Sequence, residues 1–452
     1  MLAGQYAWVM HKLHTLWRNI NASLWFVPTL MVASAMGLAY GLVTIDLRID
    51  HGWVKDYPLL FGAGASGARG VLTAIAGSMM TVASLGFSLT LSTLGQVSSQ
   101  YTSRVLRNFM SSRVNQMVLG SFVSIFVYCL LVLRTIRDGD EGGFIPPLAV
   151  TGGLVLALLG IGVLVFFIHH MASIMQAGVI IGGVADETEA AIRRLFPQEL
   201  GTAASEPAQQ ALFDKADELT WLPVPAYATG YLQTIDEAGL LALARRLGGV
   251  VRMAYGVGSF VARGSALASV ARYDASQPLE LTEQLSKELN DQFSIGRQRT
   301  TEQDAGFGVR QLVDIALKAL SPGINDTSTA VLCIDYLGAL VASLAARRFA
   351  EPLRTDDDGG PVRIITVQPS FATFANTAFD QILAAGADDL AVYLRLLTAF
   401  ETAATRTRVP ARRAVLRAHA TRVAEAATQG LSTAYERDQV QARTREVLAP
   451  LA

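Results

Sequence analysis

Between residues 78 and 100 the chain reads SMMTVASLGFSLTLSTLGQVSSQ, a run with no charged side chain in which serine and threonine recur at helical intervals. Taken back to Thr73, the small and polar positions Thr73, Gly77, Thr81, Ser84, Ser88, Ser92, Gly95 and Ser99 step by 4, 4, 3, 4, 4, 3 and 4 residues. At about 100° per residue they share one side of an α-helix. The remaining positions, including Leu72, Ile75, Met79, Val82, Leu85, Phe87, Leu89 and Leu94, are large and apolar and are expected to form the opposite face. Hydroxyls replace part of the hydration shell of an ion or solute without holding it tightly, so a ring of such helices would line a conducting path. The same residues also suit a helix seam, where small side chains admit a neighbouring backbone and hydroxyls bond across the contact. No ionisable group lies inside the run, which argues against a proton-coupled pump.

Other residues capable of chemistry are few. His169 and His170 are adjacent, so on a helix they point about 100° apart and do not converge on a metal. Their place at the end of an apolar run fits an interfacial role or a pH-responsive gate. The remaining histidines, His11, His14, His51 and His419, are scattered. Cys129 and Cys333 give neither a disulfide framework nor a metal cluster. The acidic run Asp356, Asp357 and Asp358 lacks the distal bidentate Glu of a calcium loop. Gly256 and Gly258 lack the third glycine of a dinucleotide loop. With no Walker loop, HExxH, nucleophile elbow or CxxC, neither an enzyme nor a metal or other cofactor is expected. A net charge of -1 leaves no basic field for nucleic acid.

The most distinctive segment is RQRTTEQDAGFGVRQLVDIALKALSPGINDTSTAVLCIDYL, residues 297–337. Its pattern predicts an amphipathic helix over 308–320, with Arg310, Asp314 and Lys318 at i,i+4 spacing. Pro322 and Gly323 break it, and Asp326 or Thr327 caps a second helix over 328–347. Asn325 and Asp326 therefore have an ordinary structural job. Together with Arg310, Gln311, Asp314 and Ser321, they are also candidates for a ligand, ion or subunit contact at an exposed turn.

This segment, the apolar spans before it and TGYLQTID at 229–236 resemble the bacterial predicted-membrane-protein family known as domain of unknown function 2254. The resemblance rests on Asp304, Phe307, Gly308, Arg310 to Ala316, Ala319 to Pro322 and Ile324 to Asp326, then Thr329, Ala330 and Cys333 to Asp335. Thr327 stands where Pro is frequent in that family. The resemblance covers nearly the whole chain and implies an integral inner-membrane protein with a soluble carboxyl-terminal region; it implies no reaction or substrate.

The positioning elements follow from composition. Of 452 residues, 51% are hydrophobic and 17% charged, with mean hydropathy +0.35, too apolar for an average soluble chain. Residues 24–45, 70–94, 114–133 and 148–168 are uncharged apolar runs long enough to cross a hydrocarbon core of roughly 30 Å. The first begins too late and runs too long for a cleavable signal, and reads as a retained anchor. Lys12 and Arg18 before it, and Arg104, Arg107 and Arg113 in the second loop, lack the acids that accompany Arg in the first and third loops. Both termini are thus expected in the cytoplasm.

The expected fold is a membrane α-helical domain of four transmembrane helices plus a cytosolic α+β region with a small β-module and a C-terminal helical bundle. The boundaries are an interfacial amphipathic helix at 1–22, spans at 23–170, a helical connector at 171–221, a β-module at 222–275, the helical motif at 276–348, a linker at 349–361 and the bundle at 362–452. Function follows as an oligomeric passive channel whose partners are the lipid bilayer, copies of the same chain and a small ion or solute. The alternative is a membrane-anchored signalling or scaffold protein whose cytosolic module binds a partner or ligand.

Overall fold

The structure, a computed structural model, describes residues 25–49, 64–100, 113–137, 144–174, 176–196, 219–274, 279–349, 352–355 and 362–451. The expected amphipathic helix at 1–22, the loop arginines Arg104 and Arg107, and the run from Asp356 to Asp358 lie outside these residues. The chain divides into two compact units, Met1–Gln176 and Ala177–Ala452.

In the first unit, α1 (Phe26–Asp46), α2 (Ala65–Gln100), α3 (Arg113–Thr135) and α4 (Pro147–Ile174) form a bundle centred on α3, which packs on the other three. Pro28 and Pro147 sit in first turns, where a missing N–H costs nothing. The core is large and apolar: Leu72 from α2, Phe122, Tyr128 and Cys129 from α3 and Phe167 from α4 are buried. At Gly120, α1 crosses α3 so closely that a Cβ would lie 2.7 Å from Met31 Sδ and 3.0 Å from Pro28 Cα.

The helices run past the uncharged stretches, and their added turns carry the charges that tie one end of the bundle together. Asp46, buried in the last turn of α1, accepts from the backbone N–H of Leu148 at 3.2 Å and Ala149 at 2.9 Å. It thereby caps α4 from another helix, satisfying free donors at the positive end of its dipole. Arg69 of α2 donates to the Ile136 carbonyl at 3.0 Å, and Tyr128 Oη to the Ala149 carbonyl at 2.7 Å.

The second unit opens with α5 (Ala177–Leu195), followed by β1 (Leu222–Pro225), β2 (Gly230–Ile235), α6 (Glu237–Leu247), β3 (Gly249–Met253), β4 (Phe260–Val261) and β5 (Ala266–Arg272). Next come α7 (Glu283–Asn290), β6 (Phe293–Gly296), α8 (Ala305–Ala319), α9 (Thr327–Ala345), β7 (Leu353–Thr355) and β8 (Val362–Ile365). A bundle of α10 (Phe371–Ala385), α11 (Leu390–Thr405), α12 (Pro410–Gly430) and α13 (Ala434–Leu448) completes it.

The β-strands form a five-stranded sheet, β1-β5-β3-β8-β7, and a three-stranded sheet, β4-β2-β6. The β-module is therefore not confined to 222–275. Strand β6 comes from the motif region, β7 from the segment expected to be a linker, and β8 pairs parallel with β3, Val251 opposite Ile364. The run VRIITV at 362–367 reads as a short strand in the sequence and forms β8, whereas the three residues of β7 carry too little alternation to be read; Leu353, Val362 and Ile365 bury against Val250 and Ala271 once paired. Helix α7 stops at Asn290, and Phe293, three residues on, pairs with Ile235 of β2.

Among the described residues, five helices are long and apolar enough to cross a membrane: α1 to α4 and α9. The last packs against α5, α8, α10 and α11, with Cys333, Ile334, Leu337, Val341 and Leu344 buried among them.

Candidate functional site

The buried face of α2 is formed by Ala68, Leu72, Ala76, Met79, Ala83, Thr90 and Thr93. Thr73, Gly77, Thr81, Ser84, Ser88, Ser92 and Gly95 are exposed, and a Cβ added at Gly77 or Gly95 would meet nothing within 4 Å. At 100° per residue the two faces are centred roughly 160° apart. The small polar face is thus turned away from the contact with the rest of the bundle. Ser99 lies in the last helical turn, where the side chains are outside the described ones. Thr81 Oγ1 donates to the Gly77 carbonyl at 3.0 Å, which spends its hydrogen and leaves its oxygen outward. Leu85, Phe87 and Leu89, expected on the opposite face, are also exposed and flank the hydroxyls; the bundle contacts a narrower arc of the helix than the apolar pattern spans.

His169 is exposed near the end of α4, whereas His170 is half-buried and stacks on Phe166 one turn earlier, centroids 5.7 Å apart and planes 11° apart. The two rings do not converge. At the turn after α8, Asn325 takes φ +50°, a left-handed conformation that Asn tolerates. Asp326 caps α9, Oδ1 accepting from Thr329 N at 3.0 Å and Oδ2 from Thr329 Oγ1 at 2.6 Å. These bonds hold its carboxyl below the usual carboxylate range. Ser321 Oγ donates to the Lys318 carbonyl at 2.6 Å, and Arg310 pairs with Asp314 at 2.8 Å. Gln311 is buried, away from this exposed turn. The six motif residues therefore do not form one cluster.

A pattern that sequence reasoning did not assemble lies at the other end of α8. Asp304 caps that helix by accepting from Phe307 N at 3.0 Å. It is also held by Arg299, Nε at 2.8 Å and one terminal nitrogen at 2.7 Å. Burial raises the Asp304 pKa above its ordinary value, and the Arg299 guanidinium counters the rise. Gly258, at φ +87°, passes so close that a Cβ would strike the Asp304 carboxylate, so the glycine pair at 256 and 258 serves packing.

Beside this ion pair opens a cleft of about 390 Å³, into which Arg194, Glu237, Met253, Asp304, Arg354 and Phe374 project from separate elements. A wider groove of about 760 Å³ runs between α5, α9 and α11. Its Glu189 is already engaged, accepting from Arg193 and Ser343 at 3.0 Å each. The spacing of Arg299 and Asp304 was the available signal for the first site; the partners contributed by α5 and β7 had none.

Residues 21–402 match the model of a family described as predicted membrane protein, DUF2254. An uncharacterised protein of Mycobacterium bovis and one of Mycobacterium tuberculosis are each 32% identical over 439 residues, covering 95% of this chain and 81% of theirs. No solved structure matches. By the extent of both matches, this chain belongs to the DUF2254 family of predicted membrane proteins.

Proposed function

We propose that the protein is an oligomeric passive conductance of the bacterial inner membrane, with α2 lining the path and the cytosolic unit assembling or gating it. The observation that carries this reading is the exposed hydroxyl face of α2, opposite the face that packs on the bundle. Hydrocarbon offers hydroxyls no hydrogen-bond partner, so water around a symmetry axis, enclosed by copies of the chain, suits that face better than lipid does. The exposed Leu85, Leu89 and Phe87 beside it would meet neighbouring copies or lipid.

In this reading α1 to α4 cross the bilayer with both termini cytoplasmic, in keeping with the arginine distribution of the loops. Helix α9 stays in the soluble unit, because its apolar residues are already covered by protein and Asp335 pairs with Arg395 at 3.2 Å. His169 and His170 would sit at the cytoplasmic end of α4 as interfacial or gating groups. No reaction is assigned.

The test is flux in proteoliposomes. Ser84→Leu, Ser88→Leu and Ser92→Leu should each lower flux several-fold while cross-linking shows an unchanged oligomer. Absence of flux from the unaltered protein, or flux in all three variants equal to that of the unaltered protein, sinks the proposal. Loss of assembly instead would assign the face to helix packing. The second reading, an anchored cytosolic ligand-binding module, is favoured by the cleft beside Asp304 and requires no conductance.

A further inference from the structure

The cleft beside Asp304 lies wholly in the second unit, and its use does not depend on whether the membrane unit conducts. Its walls divide by chemistry. Ile235, Met253, Val257 and Phe374 supply apolar surface, while Arg194 at the end of α5 and Arg354 on β7 supply guanidinium groups.

The charges of the other polar walls are spent or weakly engaged. Asp304 is neutralised by Arg299 and by the N–H of Phe307 before any ligand arrives. Gln303 uses its amide on β2, Oε1 accepting from Ile235 N at 2.9 Å. Glu237 stands 3.7 Å from Arg354 with both side chains partly in water, a separation at which an ion pair contributes little. Among the described residues, Arg194 donates to the carbonyls of Thr301 and Glu302 and pairs with no carboxylate.

We infer that this cleft binds a small organic anion of mononucleotide size, with its phosphate or carboxylate on Arg194 and Arg354 and its body on Ile235, Met253, Val257 and Phe374. A volume of about 390 Å³ falls in the range of small-molecule clefts. A guanidinium is the side chain best shaped to hold a tetrahedral phosphate or planar carboxylate through paired N–H donors. The site draws on α5, separated from the end of α4 by two residues, so occupancy would act on the helix that follows the last apolar helix of the first unit.

The experiment is a fluorescence titration of the full chain in nanodiscs with the N-methylanthraniloyl derivative of AMP, with empty nanodiscs as control. Saturable binding tighter than roughly 1 mM is expected. Displacement by unlabelled AMP but not adenosine identifies the phosphate as the anchor, and displacement by benzoate as well extends the site to carboxylates. Arg194→Gln and Arg354→Gln should each weaken binding about tenfold. Val367→Trp should abolish it by filling the rim without removing a charge, and its unchanged melting temperature separates blocking from misfolding. No saturable binding, signal equal to that of empty nanodiscs, displacement by adenosine as strong as by AMP, or a folded Val367→Trp variant that binds normally overturns the inference.

Discussion

At the residue scale, two buried polar groups show how local chemistry holds each unit. Asp46 lies at the end of α1 yet serves α4, accepting from the N–H groups of Leu148 and Ala149. Replacing it with Ala leaves those donors in a site that water reaches poorly. Asp46→Ala is expected to cost about 1–2 kcal/mol in reversible unfolding of the full chain in mixed micelles. Asp46→Asn, which keeps one acceptor, should cost less, and equal costs would show that the cap is unimportant. In the second unit, His419 is buried beside Phe379 and Phe400, with Nε2 3.0 Å from Asn376 Oδ1 and Nδ1 2.7 Å from an Arg422 nitrogen. Arg422 can only donate, so Nδ1 is the acceptor and the ring is neutral. Burial, with the nearby Arg422 charge, pushes the His419 pKa down to about 4. Because the folded value lies below the unfolded one, near 6.5, this stabilisation is complete above pH 6.5 and is lost as pH falls from 6.5 through 4. Thermal unfolding should lose stability across that window, and His419→Gln should flatten the slope. A wild-type-minus-variant difference that does not change with pH would refute the assignment.

At the element scale, close approach explains small residues that hydropathy leaves unexplained. Gly308 faces Thr188 of α5 so closely that any Cβ would fall within the Thr188 hydroxyl, while Thr188 Oγ1 donates to the Val184 carbonyl at 2.6 Å. Helix α5 is thus locked on α8 by a glycine and a threonine. Gly308→Ala should destabilise the chain by about 1–3 kcal/mol, and adding Thr188→Ala should recover part of that loss. Additive losses in a double-mutant unfolding cycle would exclude the contact. The helix–turn–helix that carries the family resemblance follows the same economy. Asp326 caps α9, and Thr327 Oγ1 reaches Asp389 Oδ2 at 2.5 Å, where Asp389 also caps α11 through Ala391 N at 2.8 Å. The exposed turn is accounted for by helix capping, whereas the opposite end of α8 opens on a cleft.

At the scale of the whole molecule, the serine-to-leucine flux series and the nucleotide titration address different units, so either can fail alone. Hydropathy placed the first four long helices, with α2 running five and six residues past its expected ends and α4 six past its last, since an uninterrupted apolar run is a property of a few consecutive turns. Local spacing also gave the small polar stripe of α2, whose successive members are one turn apart, the Arg310 to Asp314 pair, and a cap at Asp326 or Thr327, of which Asp326 serves. Mean hydropathy alone groups α9 with the other apolar helices, because burial in protein and burial in lipid select the same side chains, and it is Asp335 that sets it apart from the four uncharged runs. Only tertiary structure decided which face of α2 the bundle leaves bare, that Asp46 serves residues 103 positions away, that β8 joins β3 in parallel, and that Arg194 and Arg354 line one cleft beside Asp304. Those pairings depend on how distant segments pack, and neither periodicity nor capping chemistry reaches further along the chain than a few turns.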